Sequence, residues 1–81
     1  MYTVYILKNN ITGRHYIGST DNIDRRLAEH NRGQTRSTRY GKNNWVLIYT
    51  EQYGNELIAK RREQKIKSFK GGDAFKRLVR D

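Results

Sequence analysis

The sequence predicts a small α/β (α+β) domain in which helices flank a mainly antiparallel sheet of three strands. Three short runs rich in Tyr, Val, Ile and Leu have the composition of strands, at residues 2–8, 14–19 and 45–49. The third run is apolar at successive positions, so both of its faces need cover. Two longer segments carry helix caps and could supply that cover.

The first two strands are expected to form a hairpin. The segment Asn9-Asn10-Ile11-Thr12-Gly13 between them is polar and ends in glycine, as is typical of a connection between antiparallel strands. The 81 residues contain no repeat, linker or low-complexity stretch. We therefore expect one domain over residues 1–81, with a small core.

Helices are predicted over about residues 22–31, 55–68 and 73–80. Asp21 or Asn22 would cap the first helix and Asn55 the second, because Asp and Asn side chains accept hydrogen bonds from free backbone amides. Gly33 would end the first helix and Gly71-Gly72 the second. The intervening basic segment (residues 32–42) is predicted to be a polar loop with one aromatic residue.

The composition is strongly basic. Seventeen Lys and Arg residues against eight Asp and Glu give a net charge of +9. This balance favours a polyanionic partner, because neutralised phosphates release counterions. A ribosomal protein or a charge that serves solubility is the alternative interpretation. Without cysteine there is neither a disulfide nor a thiolate metal site, so oxygen or imidazole ligands would hold any metal.

No apolar run approaches the ~20 residues of a membrane span, and the first residues lack the pattern of a signal peptide. We therefore expect a cytoplasmic protein with no membrane partner.

Both long helices carry ionisable residues on the stripe that should face the core. The positions at helical spacing are Ile23, Arg26, Leu27 and His30 in the first helix, and Ala59, Arg62, Glu63 and Ile66 in the second. Polar residues in core positions are typical of a functional cleft. The hairpin and the two helices would then form its walls.

Each of these residues also has a structural explanation. Arg26 and His30 could lie at the edge of their helix with only their stems buried. Glu63 could pair with Lys60 or Lys67 on the helix surface, and Tyr5 and Tyr16 could be packing residues of the sheet. The functional interpretation depends on all five candidates, which are Tyr5, Tyr16, Arg26, His30 and Glu63, occurring together and in this order.

That order resembles the GIY-YIG endonucleases, in particular their compact single-domain bacterial members. Tyr16-Ile17-Gly18 matches one half of the motif pair, and Tyr5 in Thr3-Val4-Tyr5 holds the place of the other tyrosine. Arg26 follows the Tyr-Ile-Gly motif by eight residues and His30 by twelve. The resemblance, which continues through Lys60-Arg61-Arg62-Glu63, extends to the catalytic domains of structure-specific junction nucleases and of the nucleotide-excision-repair excinuclease.

The resemblance implies a GIY-YIG fold and a divalent-metal-dependent endonuclease acting on DNA, with a possible role in repair or recombination. Tyr5 would activate the attacking water, and Tyr16 would support that water or the phosphate. Arg26 would contact the scissile phosphate, and His30 would orient a tyrosine hydroxyl or relay its proton. Glu63 would hold a single Mg²⁺ or Mn²⁺, which needs few protein oxygens because water and phosphate complete its shell.

Two features depart from the family pattern. Thr3-Val4 replaces Gly-Ile before Tyr5, and no Asn follows Glu63, as one does in many members. Arg26 rather than Arg25 is assigned to the phosphate because Arg26 lies on the inward stripe of its helix.

Basic residues outside this set are expected to bind backbone phosphates. The candidate nucleic-acid-binding residues are Arg25, Arg36, Arg39, Lys42, Arg62 and Lys65. Arg36, Arg39 and Lys42 belong to the basic segment, and Arg62 and Lys65 belong to a helical cluster that also contains Lys60, Arg61, Lys67 and Lys70. Recognition of branched DNA, or targeting by a partner protein, is favoured over sequence-specific readout. The oligomeric state is left open.

Two other interpretations stay open. The chain could be a nucleic-acid-binding protein that keeps the nuclease fold without catalysis. It could also be a basic protein-interaction module, such as an assembly factor.

Overall fold

The computed structural model describes residues 1–69 and 71–80. One sheet contains β1 (Tyr2–Asn9), β2 (His15–Thr20) and β3 (Trp45–Tyr53), in the order β2-β1-β3. Both neighbours of β1 run antiparallel to it, so the predicted three-stranded antiparallel sheet is confirmed. Strand β3 continues to Tyr53 rather than ending near residue 49.

Asn9 organises the turn of the β1–β2 hairpin. Its Oδ1 atom accepts hydrogen bonds from the backbone amides of Ile11 and Thr12, both at 3.0 Å. Gly13 has a φ of +75°, in the left-handed region that glycine adopts without strain. These contacts close the predicted hairpin and fix the register in which Tyr5 lies opposite Gly18.

Within the described residues, three α-helices lie at Ile23–Asn31 (α1), Glu56–Ser68 (α2) and Asp73–Val79 (α3). Both predicted side-chain caps are confirmed. The Asn22 side chain accepts from the amide of Arg25, and the Asn55 side chain accepts from those of Leu57 and Ile58. The basic segment is not a simple loop, because residues Arg36–Gly41 form a short 3-10 helix.

Helices cover both faces of the sheet, as the apolar third strand requires. On one face, Val4 and Ile6 pack with Ala59 and Ile66 of α2 and with Phe75 of α3. On the opposite face, Tyr5, Leu7 and Trp45 pack with Ile23 and Leu27 of α1. Alternate residues of β1 therefore belong to two separate clusters, as expected from the two-residue period of a strand.

The chain between α1 and β3 is fixed by polar contacts. The indole Nε1 of Trp45 donates to the carbonyl of Thr38 at 2.9 Å, and Asn31 exchanges hydrogen bonds with the Trp45 backbone at 2.9 and 3.1 Å. Asn9 also donates to the carbonyl of Gly41 at 2.8 Å. The 3-10 helix is thus attached to the same face of the sheet as α1.

Among residues 1–69 and 71–80, no helix combines the length and the apolar character that a membrane span needs.

Candidate active site

A cleft opens where the end of the hairpin meets helices α1 and α2. It has a volume of about 310 Å³, and its walls are the ones expected from the sequence. The lining residues are Tyr2, Ser19, Thr20, Asp21, Arg25, Arg26, Glu29, Glu56 and Lys60. These residues include three cationic side chains and three carboxylates, so their formal charges cancel. Of the five predicted catalytic residues, Arg26 is the one that lines this cleft.

Behind the cleft, a chain of buried hydrogen bonds runs from Tyr5 through His30 to Thr38. The Tyr5 hydroxyl lies 2.9 Å from Nε2 of His30, and Nδ1 of His30 lies 2.7 Å from Oγ1 of Thr38. Tyr5 is 1% exposed, and His30 and Thr38 are fully buried. Thr38 was not among the candidates, although it holds the histidine from the side opposite Tyr5.

The charge states of this chain follow from its burial. Burial raises the pKa of Tyr5 to about 12, even though the nearby Arg26 guanidinium lowers it. Burial, together with the positive charge of Arg26, lowers the pKa of His30 to about 4. At neutral pH the phenol therefore keeps its proton and the imidazole carries no charge.

These charge states set the direction of the hydrogen bonds. The Arg26 guanidinium beside the Tyr5 oxygen can only donate, so the hydroxyl proton of Tyr5 is assigned to the bond with Nε2 of His30. The single imidazole proton then lies on Nδ1 and is donated to Thr38, whose hydroxyl faces the carbonyl of Thr35 at 3.4 Å. In this arrangement the hydroxyl and imidazole groups of Tyr5, His30 and Thr38 all have hydrogen-bond partners.

Gly18 leaves room for the Tyr5 hydroxyl. The two residues are cross-strand partners, and a Cβ atom at Gly18 would lie 2.6 Å from the Tyr5 oxygen. Such a distance is far below a van der Waals contact, and the obstructing phenol is itself held by His30. The glycine of the Tyr16-Ile17-Gly18 motif thus permits the close approach of Tyr5 to β2.

Tyr16 lies beside the same histidine but is only partly buried. Its ring centroid is 4.7 Å from that of His30 and 6.2 Å from that of Tyr5. The three rings form a compact cluster, so the sheet does bring these three predicted residues together. Tyr16 is the member of the cluster with some exposure to solvent.

Arg26 is one of the three cations of the cleft. Its guanidinium donates to Glu29 at 3.0 Å, and its side chain is 32% exposed. Burial opposes its charge, but the hydrogen bond to Glu29 and the proximity of Tyr5 raise its pKa above the ordinary value. Arg26 is therefore cationic at any working pH, with Glu29 as its present anionic partner.

Glu63 lies on the other face of the sheet, beside the end of β2. It is 7% exposed, and its Oε1 atom accepts a hydrogen bond of 2.6 Å from Ser19, which lines the cleft. Its Oε2 atom pairs with Lys67 at 2.8 Å, and Lys60 lies 4.0 Å from Oε1. Burial favours protonation, but hydrogen bonds from Lys67 and Ser19 outweigh it, so the pKa of Glu63 lies below its ordinary value.

Glu63 offers a divalent cation a single carboxylate, beside which lie the Ser19 hydroxyl and the ammonium groups of Lys67 and Lys60. In the part of the chain that the structure describes, no three His, Cys, Asp or Glu residues are grouped closely enough to hold a metal. A Mg²⁺ ion that keeps most of its water needs only one such carboxylate. The carboxylate already holds a cation, the Lys67 ammonium, which a metal ion would have to displace.

Comparison with known proteins supports the resemblance noted in the sequence. Residues 1–72 match the family model of the GIY-YIG catalytic domain. The chain belongs to the GIY-YIG family.

This GIY-YIG chain has relatives of similar length. It is 36% identical over 67 residues to a UPF0213 protein of Halobacterium salinarum, covering 83% of this chain and 86% of that protein. A UPF0213 protein of Staphylococcus haemolyticus is 36% identical over 66 residues, covering 82% and 79%. The solution NMR structure of a UPF0213 protein from Bacillus halodurans is 29% identical, with a TM-score of 0.49 over 91% of this chain and 90% of that one.

The predicted nucleic-acid-binding residues of this GIY-YIG chain fall into three places. Arg25 lines the cleft and pairs with Asp21 at 3.1 Å. Arg36, Arg39 and Lys42 are exposed on or beside the 3-10 helix. Lys65 is exposed on α2, whereas Lys70 of the wider cluster lies outside the described residues.

Arg62 has a partner that the sequence did not reveal. Its guanidinium donates two hydrogen bonds to the carboxylate of Glu51, at 2.8 and 2.9 Å, and the hydroxyls of Tyr49 and Tyr53 donate to the same carboxylate. The bidentate contact with Arg62 holds the pKa of Glu51 at about 2. In this arrangement Arg62 joins α2 to β3, and its hydrogen-bonding edge faces Glu51 rather than solvent.

Proposed function

We propose that this chain is a divalent-metal-dependent endonuclease that hydrolyses phosphodiester bonds of DNA, with preference for branched or otherwise irregular substrates. Membership of the GIY-YIG family supports nuclease chemistry. The observation that carries the proposal is that candidate catalytic groups lie on both sides of β2, near its end. Arg26 and the buried Tyr5–His30 pair lie on one side of β2, and the Glu63 carboxylate contacts Ser19 on the other side.

Arg26 would bind the scissile phosphate. A guanidinium offers two parallel N–H donors to phosphate oxygens, and its charge stabilises the negative charge that develops in hydrolysis. Glu29 holds this guanidinium at present, at 3.0 Å. A phosphate that enters the cleft would share or replace that carboxylate, so Glu29 also orients Arg26 before substrate arrives.

Tyr5 and Tyr16 differ in solvent exposure, and we therefore assign them different roles. The Tyr5 hydroxyl donates to His30 and is shielded from solvent, with a pKa of about 12. Part of Tyr16 is exposed beside the same imidazole. We therefore assign the contact with the attacking water to Tyr16, and to Tyr5 the role of orienting His30 from within the core. This assignment differs from the one implied by family resemblance, in which Tyr5 activates the water.

Glu63 would hold the metal ion, with the Ser19 hydroxyl fixing the orientation of its carboxylate at 2.6 Å. The chemistry supplied by a bound divalent ion is charge stabilisation at the phosphate and the leaving oxygen. Lys67 keeps the carboxylate ionised and oriented until then.

A cleavage screen tests this proposal. Labelled flaps, forks, junctions and single strands are incubated with Mg²⁺ or Mn²⁺, for the native chain and for Arg26→Ala and Glu63→Ala. The expected result is metal-dependent cleavage of at least one substrate that both substitutions abolish. Cleavage that survives both substitutions would show that the assigned site is wrong.

A second candidate function, nucleic-acid binding without cleavage, is supported by the ion pairs of the cleft. Glu29 pairs with Arg26, and Lys67 pairs with Glu63, so each of these proposed catalytic charges already has a partner. Salt-dependent DNA binding without cleavage of any substrate in the screen would favour this function. A chain that neither binds nor cleaves DNA would favour a protein-interaction module. The proposed cytoplasmic location and a partner protein for targeting are compatible with each of these functions.

A further inference from the structure

Tyr40 is an aromatic side chain in full contact with solvent. It is 94% exposed, more than any other large apolar residue in the described ranges, of which Met1 at 77% and Ile11 at 75% come next. Its hydroxyl makes no hydrogen bond within those ranges. The proposed cleavage mechanism does not use this ring, and the fold does not bury it.

The backbone that carries Tyr40 is firmly anchored. The carbonyl of Thr38 accepts from the Trp45 indole at 2.9 Å, and the carbonyl of Gly41 accepts from Asn9 at 2.8 Å. A side chain at Gly41 would collide with this contact, since its Cβ would lie 2.1 Å from the Asn9 amide nitrogen. The ring is therefore presented from a fixed support, which lowers the entropy lost when a ligand binds it.

The segment that carries Tyr40 is cationic and contains no carboxylate. Arg36, Arg39 and Lys42 are exposed, and no Asp or Glu occurs between Glu29 and Glu51 in the sequence. In the described part of the chain, none of the three cations takes part in an ion pair. Arg36 and Arg39 are three residues apart, which places them on one face of a 3-10 helix.

We propose that Tyr40 is a stacking platform for an unpaired base of single-stranded DNA, with Arg36, Arg39 and Lys42 contacting the neighbouring phosphates. An exposed aromatic ring among cations that have no carboxylate partner in the described residues is the combination that binds single strands, because every base has a face on which a ring can stack. Bases within a duplex are already stacked on each other. The platform therefore selects substrates that contain an unpaired segment.

The platform is linked to the candidate active site through the 3-10 helix. Thr38, two residues before Tyr40, is hydrogen-bonded to His30 at 2.7 Å. A strand held on Tyr40 would thus lie on the face of the sheet that carries the Tyr5–His30 pair. This consequence rests on the proposed nuclease function, whereas binding by the platform can be measured without cleavage.

Fluorescence anisotropy in EDTA, where no metal-dependent cleavage occurs, tests the platform. A labelled thymidine oligonucleotide and a duplex of equal length are titrated with the native chain, Tyr40→Ala, Tyr40→Phe and Leu57→Ala. Leu57 is a control at an exposed apolar site on α2, 58% accessible. We expect Tyr40→Ala to bind the single strand about 5- to 150-fold more weakly. Tyr40→Phe and Leu57→Ala should bind it like the native chain, and duplex binding should change little.

The cations are tested by the salt dependence of the same measurement. Replacing one phosphate-binding cation, as in Arg36→Gln, should reduce the slope of log K against log salt by roughly 0.7 for a single strand. The matched control is Lys76→Gln, at an exposed cation on α3.

Three results would overturn the inference. The first is an equal loss of single-strand and duplex binding in Tyr40→Ala, and the second is no loss of either, once circular dichroism shows that the variant is folded. The third is a change in oligomeric state in light scattering with unchanged DNA binding, which would assign the ring to a protein contact. Absence of cleavage in the separate screen would refute the nuclease proposal and leave the platform standing.

Discussion

The Nδ1 atom of His30 lies 2.7 Å from the hydroxyl of Thr38, and both side chains are fully buried. Because the Tyr5 hydroxyl is assigned as the donor to the opposite nitrogen, at 2.9 Å, the imidazole proton is assigned to Nδ1, which faces Thr38. The 3-10 helix of the basic segment is thereby coupled to the tyrosines of the sheet. Thr38 acts as a positioning residue, since it contacts His30 and lies outside the cleft.

Thr38→Val should disturb this arrangement with almost no change in volume. Valine cannot accept from Nδ1, so a buried N–H loses its partner, at a cost of about 1–3 kcal/mol in the free energy of unfolding. The direct readout is the pair of imidazole ¹⁵N chemical shifts of His30, which distinguishes the two neutral tautomers. We expect these shifts to move in Thr38→Val and to return in Thr38→Ser. Unchanged shifts in Thr38→Val would mean that Thr38 does not fix the tautomer.

Phenylalanine substitutions should separate the two tyrosines. Tyr16→Phe removes the partly exposed hydroxyl assigned to the water, so cleavage should be lost while stability and DNA binding persist. Tyr5→Phe leaves Nε2 of His30 buried without a donor, which should lower the free energy of unfolding by about 1–3 kcal/mol. Urea unfolding and single-turnover cleavage check both. If Tyr5→Phe abolishes cleavage at unchanged stability while Tyr16→Phe stays active, the two roles must be exchanged.

Local features of the sequence predicted most of the fold. The caps at Asn22 and Asn55 and the strand runs are signals within a few residues, and each is confirmed. The hairpin turn around Asn9 is a local signal of the same kind. The 3-10 helix was missed because its contacts, from Asn9 to Gly41 and from Trp45 to Thr38, join residues far apart in the chain.

In the candidate site, too, contacts between residues far apart in the chain could not be predicted from local patterns. Helical spacing alone indicated that Arg26, His30 and Glu63 face inward, and all three do so at least in part. No periodic pattern marks Ser19 as the partner of Glu63, or Glu51 as the partner of Arg62, because both pairs depend on how α2 crosses the sheet. Thr38 is likewise an isolated polar residue in a basic segment until the fold brings it to His30.

Stability should fall on mild acidification because of His30. Its folded pKa of about 4 lies below the ordinary 6.5, so the unfolded chain binds the extra proton first. The stabilisation is complete above pH 6.5 and is lost as the pH falls towards 4, by roughly 3 kcal/mol in full. Urea midpoints between pH 7.5 and 5 measure this effect above the range in which Glu51 titrates.

His15 must be separated from this effect, because burial and the nearby Lys8 also lower its pKa. The comparison is therefore made in a His15→Gln background, in which the pH dependence should persist. A flat stability between pH 7.5 and 5 in that background would contradict the assignment of a neutral, buried His30.

Lys67→Met should strengthen metal binding to the free protein. The Lys67 ammonium lies 2.8 Å from Oε2 of Glu63, so a divalent ion must compete with it. Removing it should tighten Mn²⁺ binding roughly fivefold, which corresponds to about 1 kcal/mol for a partly exposed ion pair. Lys60→Met is the matched control, because Lys60 lies 4.0 Å from the same carboxylate and should have a smaller effect. Isothermal titration with Mn²⁺ gives the affinities, and unchanged or weaker binding in Lys67→Met would show that the two cations do not compete.

The proposed metal-dependent cleavage depends above all on the carboxylate of Glu63. The most direct measurement is the single-turnover cleavage rate of a labelled forked DNA with Mg²⁺, for the native chain and for Glu63→Gln. Asp24→Asn is the control, since it makes the same carboxylate-to-amide change on an exposed helix position outside the cleft. We expect cleavage by the native chain and by Asp24→Asn, and none by Glu63→Gln or in EDTA. Equal rates for Glu63→Gln and the native chain, or cleavage that persists in EDTA, would show that Glu63 does not hold a catalytic metal ion.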